Sequence, residues 1–450
     1  MKPKHDTKRS IFTLAALALL AAAPLSQAME AAPLPSARAA LGAERQALSP
    51  ALPGIRTDKG IDKLDDYHET DVWGRIRSGY AIPDLNNALV TRHAQAYANH
   101  PANLSRISGR ASPYLYHVVS ELEKRGMPTE LALLPVIESA FNPQAMSSAN
   151  AAGLWQFVPG TGKDFDLRQN MFKDERRGVV ASTDAALSYL QRLYTMFGDW
   201  PLALAAYNWG EGNVQRAIKK NQELGKPTDF ESLAELMPAE TRNYVPKLQA
   251  VKNVVANPSQ YGVTLPAIDN QPYFTMVDKT SDIDLAIAAQ LAEMSLDEFK
   301  ALNPQFKKPV IIGGERTKIL LPTENAEKFH INLAQWGNAL STWTTHKITG
   351  ARVSIAQLAS KFGTTPEVIR QANNIPPQSR LKAGSTILVP KTSATNHGDI
   401  AENIIENAVV AFEADRGKAK RNASRFKAKA GASSNGKRIA RNTSSKRKQR

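Results

Sequence analysis

Cysteine is absent from this chain of 450 residues. Its absence excludes disulfides, thiolate metal sites, a cysteine nucleophile and a lipid attached through cysteine. Long apolar runs are missing too: the stretch 11–23 has 13 residues, short of the roughly 20 that span a bilayer. The eight histidines include no pair four residues apart, and neither a G-x-x-x-x-G-K-[ST] loop nor a G-x-S-x-G elbow occurs, the run Gly431–Lys437 being followed by Arg438. Zinc-protease, phosphate-loop and serine-hydrolase chemistry are therefore disfavoured, and no metal or cofactor is expected. Acidic residues are missing from one region. Residues 416–450 hold 14 Lys and Arg but no Asp or Glu, whereas residues 29–415 carry 39 basic and 41 acidic side chains. The net charge of +15 thus lies almost wholly in a tail, and a nucleic-acid partner for the body is not expected.

Hydrophobic residues at 42% and charged residues at 22% fit a globular chain of two to four domains. Lys2, Lys4, Lys8 and Arg9 precede the apolar stretch, and Pro24 and Ser26-Gln27-Ala28 follow it. This order predicts a signal peptide over 1–28, cut after Ala28. Residues 29–65, rich in Ala, Pro and Ser, read as a linker. Helical periodicity dominates 66–265 and predicts an all-α domain. Ser112-Pro113 reads as a helix start, with Leu115, Val118, Val119 and Leu122 on its apolar side and a stop near Gly126. Thr129 reads as the cap of the next helix. The texture then changes. Residues 266–330 and 343–391 each carry two short amphipathic helices between β-like runs, with Asn303 and Asn373 after the second helix. This is an internal repeat of about 70 residues. One more helix is expected in 395–415, and 416–450 has too little apolar surface to fold.

The segment 130–162 concentrates the chemistry. Glu138 lies seven residues after Leu131, on the side of its helix that carries the core stripe. A carboxyl held there is partly desolvated, which raises its pKa and keeps it protonated near neutrality, as a general acid requires. Pro135 interrupts the helix within a turn of Glu138, and Ser139 offers a hydroxyl beside it. A small-residue loop leads on to Gly153-Leu154-Trp155-Gln156. The next acidic residue is Asp164, beyond that loop.

In these motifs the chain resembles the soluble-lytic-transglycosylase type of peptidoglycan enzymes, and most closely the membrane-bound lytic murein transglycosylase D group. The resemblance rests on Glu138-Ser139, Gly153-Leu154-Trp155-Gln156, Ala206-Tyr207-Asn208 and Tyr244 within Glu240–Pro246, in that order. It implies a lysozyme-like helical fold with Glu138 as the single general acid/base. Glu138 would protonate the bond between N-acetylmuramic acid and N-acetylglucosamine, then act as base towards the C6 hydroxyl, giving a 1,6-anhydro product. Gln156, Tyr207, Asn208 and Tyr244 would line the saccharide groove, and Ser139 would orient the glutamate or an N-acetyl group. Trp155 and Trp209 stand between stacking on sugar and plain packing.

Residues 343–391 resemble a LysM module, a small α+β (βααβ) fold that binds glycans containing N-acetylglucosamine. The match lies in Leu358-Ala359, Phe362-Gly363, Asn373 and the run from Leu381 to Pro390. The family's Gly-Asp-Thr-Leu opening is here Gly350-Ala351-Arg352-Val353, without the acid. Residues 266–330 look like a degenerate copy. Peptidoglycan glycan strands are the expected partner, and the basic tail would meet anionic envelope components. The product would be exported to the periplasm or cell envelope, without an anchor on cysteine. Two other readings fit the same sequence: a hydrolytic muramidase, and a non-catalytic peptidoglycan-binding protein.

Overall fold

A computed structural model describes residues 71–414 apart from 280, 314–316, 351–352, 394 and 396–397. The expected signal peptide with its cleavage site, the expected linker and the basic tail lie outside the described residues.

The first part is helical. Asp71 caps α1 (Val72–Ser78) by accepting from Trp73 N, and Asn87 caps α2 (Ala88–Asn99) in the same way. There follow α3 (Pro101–Lys124), a 3₁₀ turn at Thr129–Leu133 that runs into α4 (Leu134–Ser139), and α5 (Pro159–Asp164). Next come α6 (Val179–Phe197), α7 (Trp200–Trp209), α8 (Glu211–Glu223), α9 (Phe230–Leu233) and α10 (Ala239–Ala256). Helix α10 packs on α2 and α7, and α6 on α7. Leu115, Leu131, Leu134, Trp155, Leu190, Leu204 and Val251 meet in the core, all fully buried. Each such side chain contributes about 1.5–3 kcal/mol.

Two local expectations fail here. Helix α3 begins at Pro101 and runs straight through Pro113. Its buried stripe, Leu104, Ser108, Ala111, Leu115 and Val118, is continuous across the proline. That packing outweighs the roughly 3 kcal/mol an internal proline costs. Thr129 does not cap a helix: its hydroxyl is buried and donates to Ile76 O at 2.6 Å.

The second part holds two small α+β units. In the first, β1 (Phe274–Val277), β2 (Ile283–Asp284), α11 (Leu285–Leu291), α12 (Leu296–Leu302), β3 (Val310–Ile311), β4 (Ile319–Pro322) and α13 (Thr323–Ala334) follow in order. Strand β1 pairs antiparallel with β4, Phe274 facing Pro322, while β2 pairs with β3. In the second unit β5 (Trp343–Lys347), α14 (Ile355–Lys361), α15 (Pro366–Asn373), β6 (Ser379–Leu381) and β7 (Thr386–Pro390) follow. Strand β5 pairs antiparallel with β7, Trp343 facing Pro390.

The repeat has a physical basis. Asn303 Nδ2 donates to Leu320 O at 2.8 Å, and Leu320 N returns a bond to Asn303 Oδ1 at 2.8 Å. Asn373 makes the same pair with Leu388, at 2.8 and 2.7 Å. Each asparagine thus ties the end of the second helix to the closing strand, where an apolar residue would leave ladder groups unpaired.

The stretch expected to be one helix holds α16 (Glu402–Asn407) and then β8 (Phe412–Ala414), which pairs with β6. Phe412 and Glu413 alternate across a sheet edge there, a partner that local periodicity cannot reveal.

Candidate functional site

Glu138 stands in the last turn of α4. Pro135 does not break that helix: it takes one of its first two positions, where its missing N–H is no loss. The helix is closed instead by Ala140 and Phe141, both left-handed at φ 51° and 55°. Non-glycine residues seldom accept that conformation, and strain of this kind gathers at functional sites. Here it is held by Ala140 N donating to Val136 O, Phe141 N donating to Pro135 O at 2.9 Å, and burial of the Phe141 ring.

The chain then forms the loop 142–157, returning past Glu138. Gly153 is required in it. Its φ is 84°, and a Cβ there would lie 2.0 Å from Arg176 O. Ser139 Oγ donates to Leu154 O at 2.9 Å, and Tyr207 OH to Trp155 O at 2.8 Å. Gln156 Nε2 donates to Gly153 O at 2.8 Å. Asn208 Oδ1 accepts from Thr241 Oγ1 at 2.7 Å.

Helix α4, this loop, α6, α7 and α10 enclose a groove of about 540 Å³. Glu138, Gln156, Tyr207, Asn208 and Tyr244 all line it, together with Tyr189, Glu240 and Lys247. A larger cleft of about 700 Å³ lies between α3 and the first small unit. Its Glu293 and Glu298 are held below the usual carboxylate range by Asn332 and Lys328 and by Ser295 respectively. Both are ordinary anions, so the acid–base chemistry points to the smaller groove.

Glu138 is the unusual group. Tyr244 OH donates to its Oε1 at 2.5 Å. Burial pushes its carboxyl up to about 7, the Tyr244 bond pulls it down, Glu240 raises it and Lys247 lowers it. Burial, reinforced by the charge of Glu138, holds the Tyr207 and Tyr244 phenols well above their ordinary value. Both therefore remain hydrogen-bond donors at neutral pH. The arrangement can keep a proton on Glu138 at physiological pH and can steady the carboxylate once that proton has gone.

Among the expected residues, Ser139 does not line the groove; its hydroxyl faces the loop backbone. Trp155 is core, fully buried with Nε1 on Thr183 Oγ1, while Trp209 lines the groove. Sequence spacing had left Glu138 without an acidic neighbour before Asp164, yet folding brings Glu240 to the same groove. Glu240 and Lys247 lie in and just beyond the Tyr244 motif, three to four residues either side of the tyrosine. Helical spacing from Tyr244 was the signal that could have found them. Arg176, which braces the loop from behind, left no local signal.

The family described as "Transglycosylase SLT domain" matches residues 118–230. "Lytic transglycosylase MltD, LysM-like domain" matches 273–337, and "LysM domain" matches 354–390. The membrane-bound lytic murein transglycosylase D of Escherichia coli strain K12 is 36% identical over 331 residues, covering 71% of this chain and 72% of that protein. The same enzyme of E. coli O6:H1 gives the same figures. Membrane-bound lytic murein transglycosylase C of Haemophilus influenzae PittEE is 31% identical over 168 residues, covering 33% of this chain and 47% of that protein.

Proposed function

Because this chain belongs to the membrane-bound lytic murein transglycosylase D family and is a peptidoglycan lytic transglycosylase, we propose that Glu138 is its single general acid/base. Oε1 of Glu138 is engaged by Tyr244, which leaves Oε2 to carry the proton. That proton passes to the glycosidic oxygen between N-acetylmuramic acid and N-acetylglucosamine as the bond to C1 breaks. The carboxylate then takes the proton of the muramic acid C6 hydroxyl, whose oxygen attacks C1. The product is a 1,6-anhydro sugar, no water is consumed, and Glu138 regains its proton. Tyr244, and Lys247 at longer range, steady the anion between the two steps.

Gln156, Tyr207, Asn208 and Tyr244 serve as the saccharide-binding wall, and Ser139 orients the glutamate by tying α4 to the loop. The observation that carries the reading is a carboxyl at about 7, open to a groove and held by one phenol. Glu240 on the same groove supports a second reading, hydrolysis with Glu240 activating water. Mass spectrometry of digested peptidoglycan separates them. Anhydromuropeptides are expected; reducing ends would favour hydrolysis, and no release would favour a binding protein.

The catalytic unit is taken as 66–265, followed by LysM-like modules at 266–330 and 343–391. The modules hold glycan, and the basic tail meets anionic envelope groups in the periplasm. Among the described residues no helix is long and apolar enough to cross a membrane. N-terminal sequencing should find a mature chain that begins at Met29.

A further inference from the structure

We infer that the first LysM-like module is a working part of the catalytic unit, because it positions, through Arg176, the loop that forms one wall of the groove. The loop needs such help. Residues 147–153 are Ser-Ser-Ala-Asn-Ala-Ala-Gly, side chains too small to anchor themselves by burial. Five members of the wall, Ser147, Ala149, Ala151, Gln156 and Phe157, come from this loop.

Two of its carbonyls, at Asn150 and Phe157, are held by one buried side chain. Arg176 Nη1 donates to Asn150 O at 2.6 Å and to Phe157 O at 3.1 Å. The rest of that guanidinium is fixed by Asp174, with Nε on Oδ1 at 2.9 Å and Nη2 on Oδ2 at 2.8 Å. Both residues are buried, so the pair keeps its fork geometry without competition from water. Arg176 does not line the groove; it is a positioning residue.

Asp174 in turn sits on a hairpin whose far side belongs to the module. Within the hairpin, Asn170 N donates to Lys173 O and Glu175 N to Arg168 O, both at 2.9 Å. Asp174 N donates to Gln305 O at 2.9 Å, and Lys307 N to Phe172 O at 2.8 Å. Lys307 Nζ donates to Asn170 O at 2.8 Å. Phe172 at the hairpin tip is buried with Val310 and Ile312 of the first module, Leu388 of the second and Ile405 of α16. The chain of contacts therefore runs from module to hairpin, from hairpin to Arg176, and from Arg176 to the groove wall. A module that served only as a glycan tether would need none of these bonds.

The inference rests on the groove being the reaction site, so its test reads the loop as well as turnover. In the full-length protein, Phe172→Asp removes the tip from its apolar seat. Hydrogen exchange of the 145–157 amides should quicken at least about 10-fold while α6 keeps its protection. Turnover on peptidoglycan should fall about 10-fold in kcat with KM changed less than about threefold. Lys173 and Phe306 face each other as an antiparallel bridge, so their Cα atoms are about 4.5–5.5 Å apart, within disulfide range. Adding Lys173→Cys and Phe306→Cys to Phe172→Asp should restore kcat and loop protection when oxidised, and lose both again on reduction. The parent chain has no other thiol to interfere.

Equal exchange and equal kcat in the oxidised and reduced triple variant would overturn the inference. So would an unchanged loop in Phe172→Asp whose 262–273 connection has become open to protease. If Phe172→Asp does not fold, Lys307→Ala removes one bond to the hairpin. It should quicken exchange at 145–157 by about two- to fivefold, and no change there would count against the inference. Glu138→Gln serves as control. It should stop turnover with loop exchange as in the parent; if turnover persists, the site assignment fails, and the exchange result still decides the module's role.

Discussion

Polar groups are buried both in the modules and beside the groove, and the two sets behave in opposite ways. Asn303 and Asn373 each make three hydrogen bonds to main-chain groups, two given and one received. Nothing about them is left to react. Glu138 is half-buried at the lining of the groove, and it receives one bond, from Tyr244. The burial that specifies a strand end in the modules pushes the Glu138 carboxyl up beside the groove. Completely satisfied burial fixes structure, and incompletely satisfied burial leaves a group able to exchange a proton.

Substitutions should separate these roles, the largest effect coming first. Glu138→Gln keeps size and shape and removes the acid. Turnover of peptidoglycan should fall at least about 10³-fold, with an unchanged circular dichroism spectrum. The same variant should be more stable than the parent above neutrality. The folded carboxyl at about 7 lies above its unfolded value of 4.5, so the folded state keeps a proton that the unfolded state has released. The stability from that proton is complete below about pH 4.5 and lost as pH rises through about 7. The loss amounts to about 3 kcal/mol, and urea titrations of Glu138→Gln should not show it.

Asn373→Ala should do the reverse. It leaves Leu388 N and O unpaired, costing about 2–3 kcal/mol in urea unfolding, while the folded protein keeps its pH–rate profile. The smallest effects concern the neighbours of Glu138. On the proposed role of Glu138, activity should decline as pH rises through about 7. Lys247→Met should move that decline to higher pH and Glu240→Gln to lower pH, because Lys247 lowers and Glu240 raises the carboxyl. Shifts of the same sign in kcat/KM profiles would break the electrostatic part of the account.

Glu138 was legible in the sequence through the ordered family motifs; the seven-residue spacing from Leu131 is not one helical repeat, because Leu131 lies in the 3₁₀ turn before α4. The asparagine repeat was legible because the bond that each residue makes sits at the same place in each unit. Contacts across the chain were not. Tyr244 lies 106 residues from Glu138, and only the ordered family motifs brought the two together. Arg176 lies in a run of charged residues, Asp174-Glu175-Arg176-Arg177, that reads as a solvated surface. Its partner Asp174 is bonded in turn to Gln305 of the first module, a contact remote in sequence. Pro113 misled because local propensity was outweighed by the packing of α3, and β8 because its partner strand is remote in sequence.

The central claim is the state of the Glu138 carboxyl, and it can be observed directly. Carbon-13 NMR of the Glu138 side-chain carboxyl, followed from pH 3 to 9 in the full-length protein, should show a midpoint near 7. In Tyr244→Phe the midpoint should move higher, because the phenol's bond favours the anion. A midpoint near 4.5 in both proteins would mean that Glu138 is an ordinary carboxylate at neutral pH, and would contradict the account.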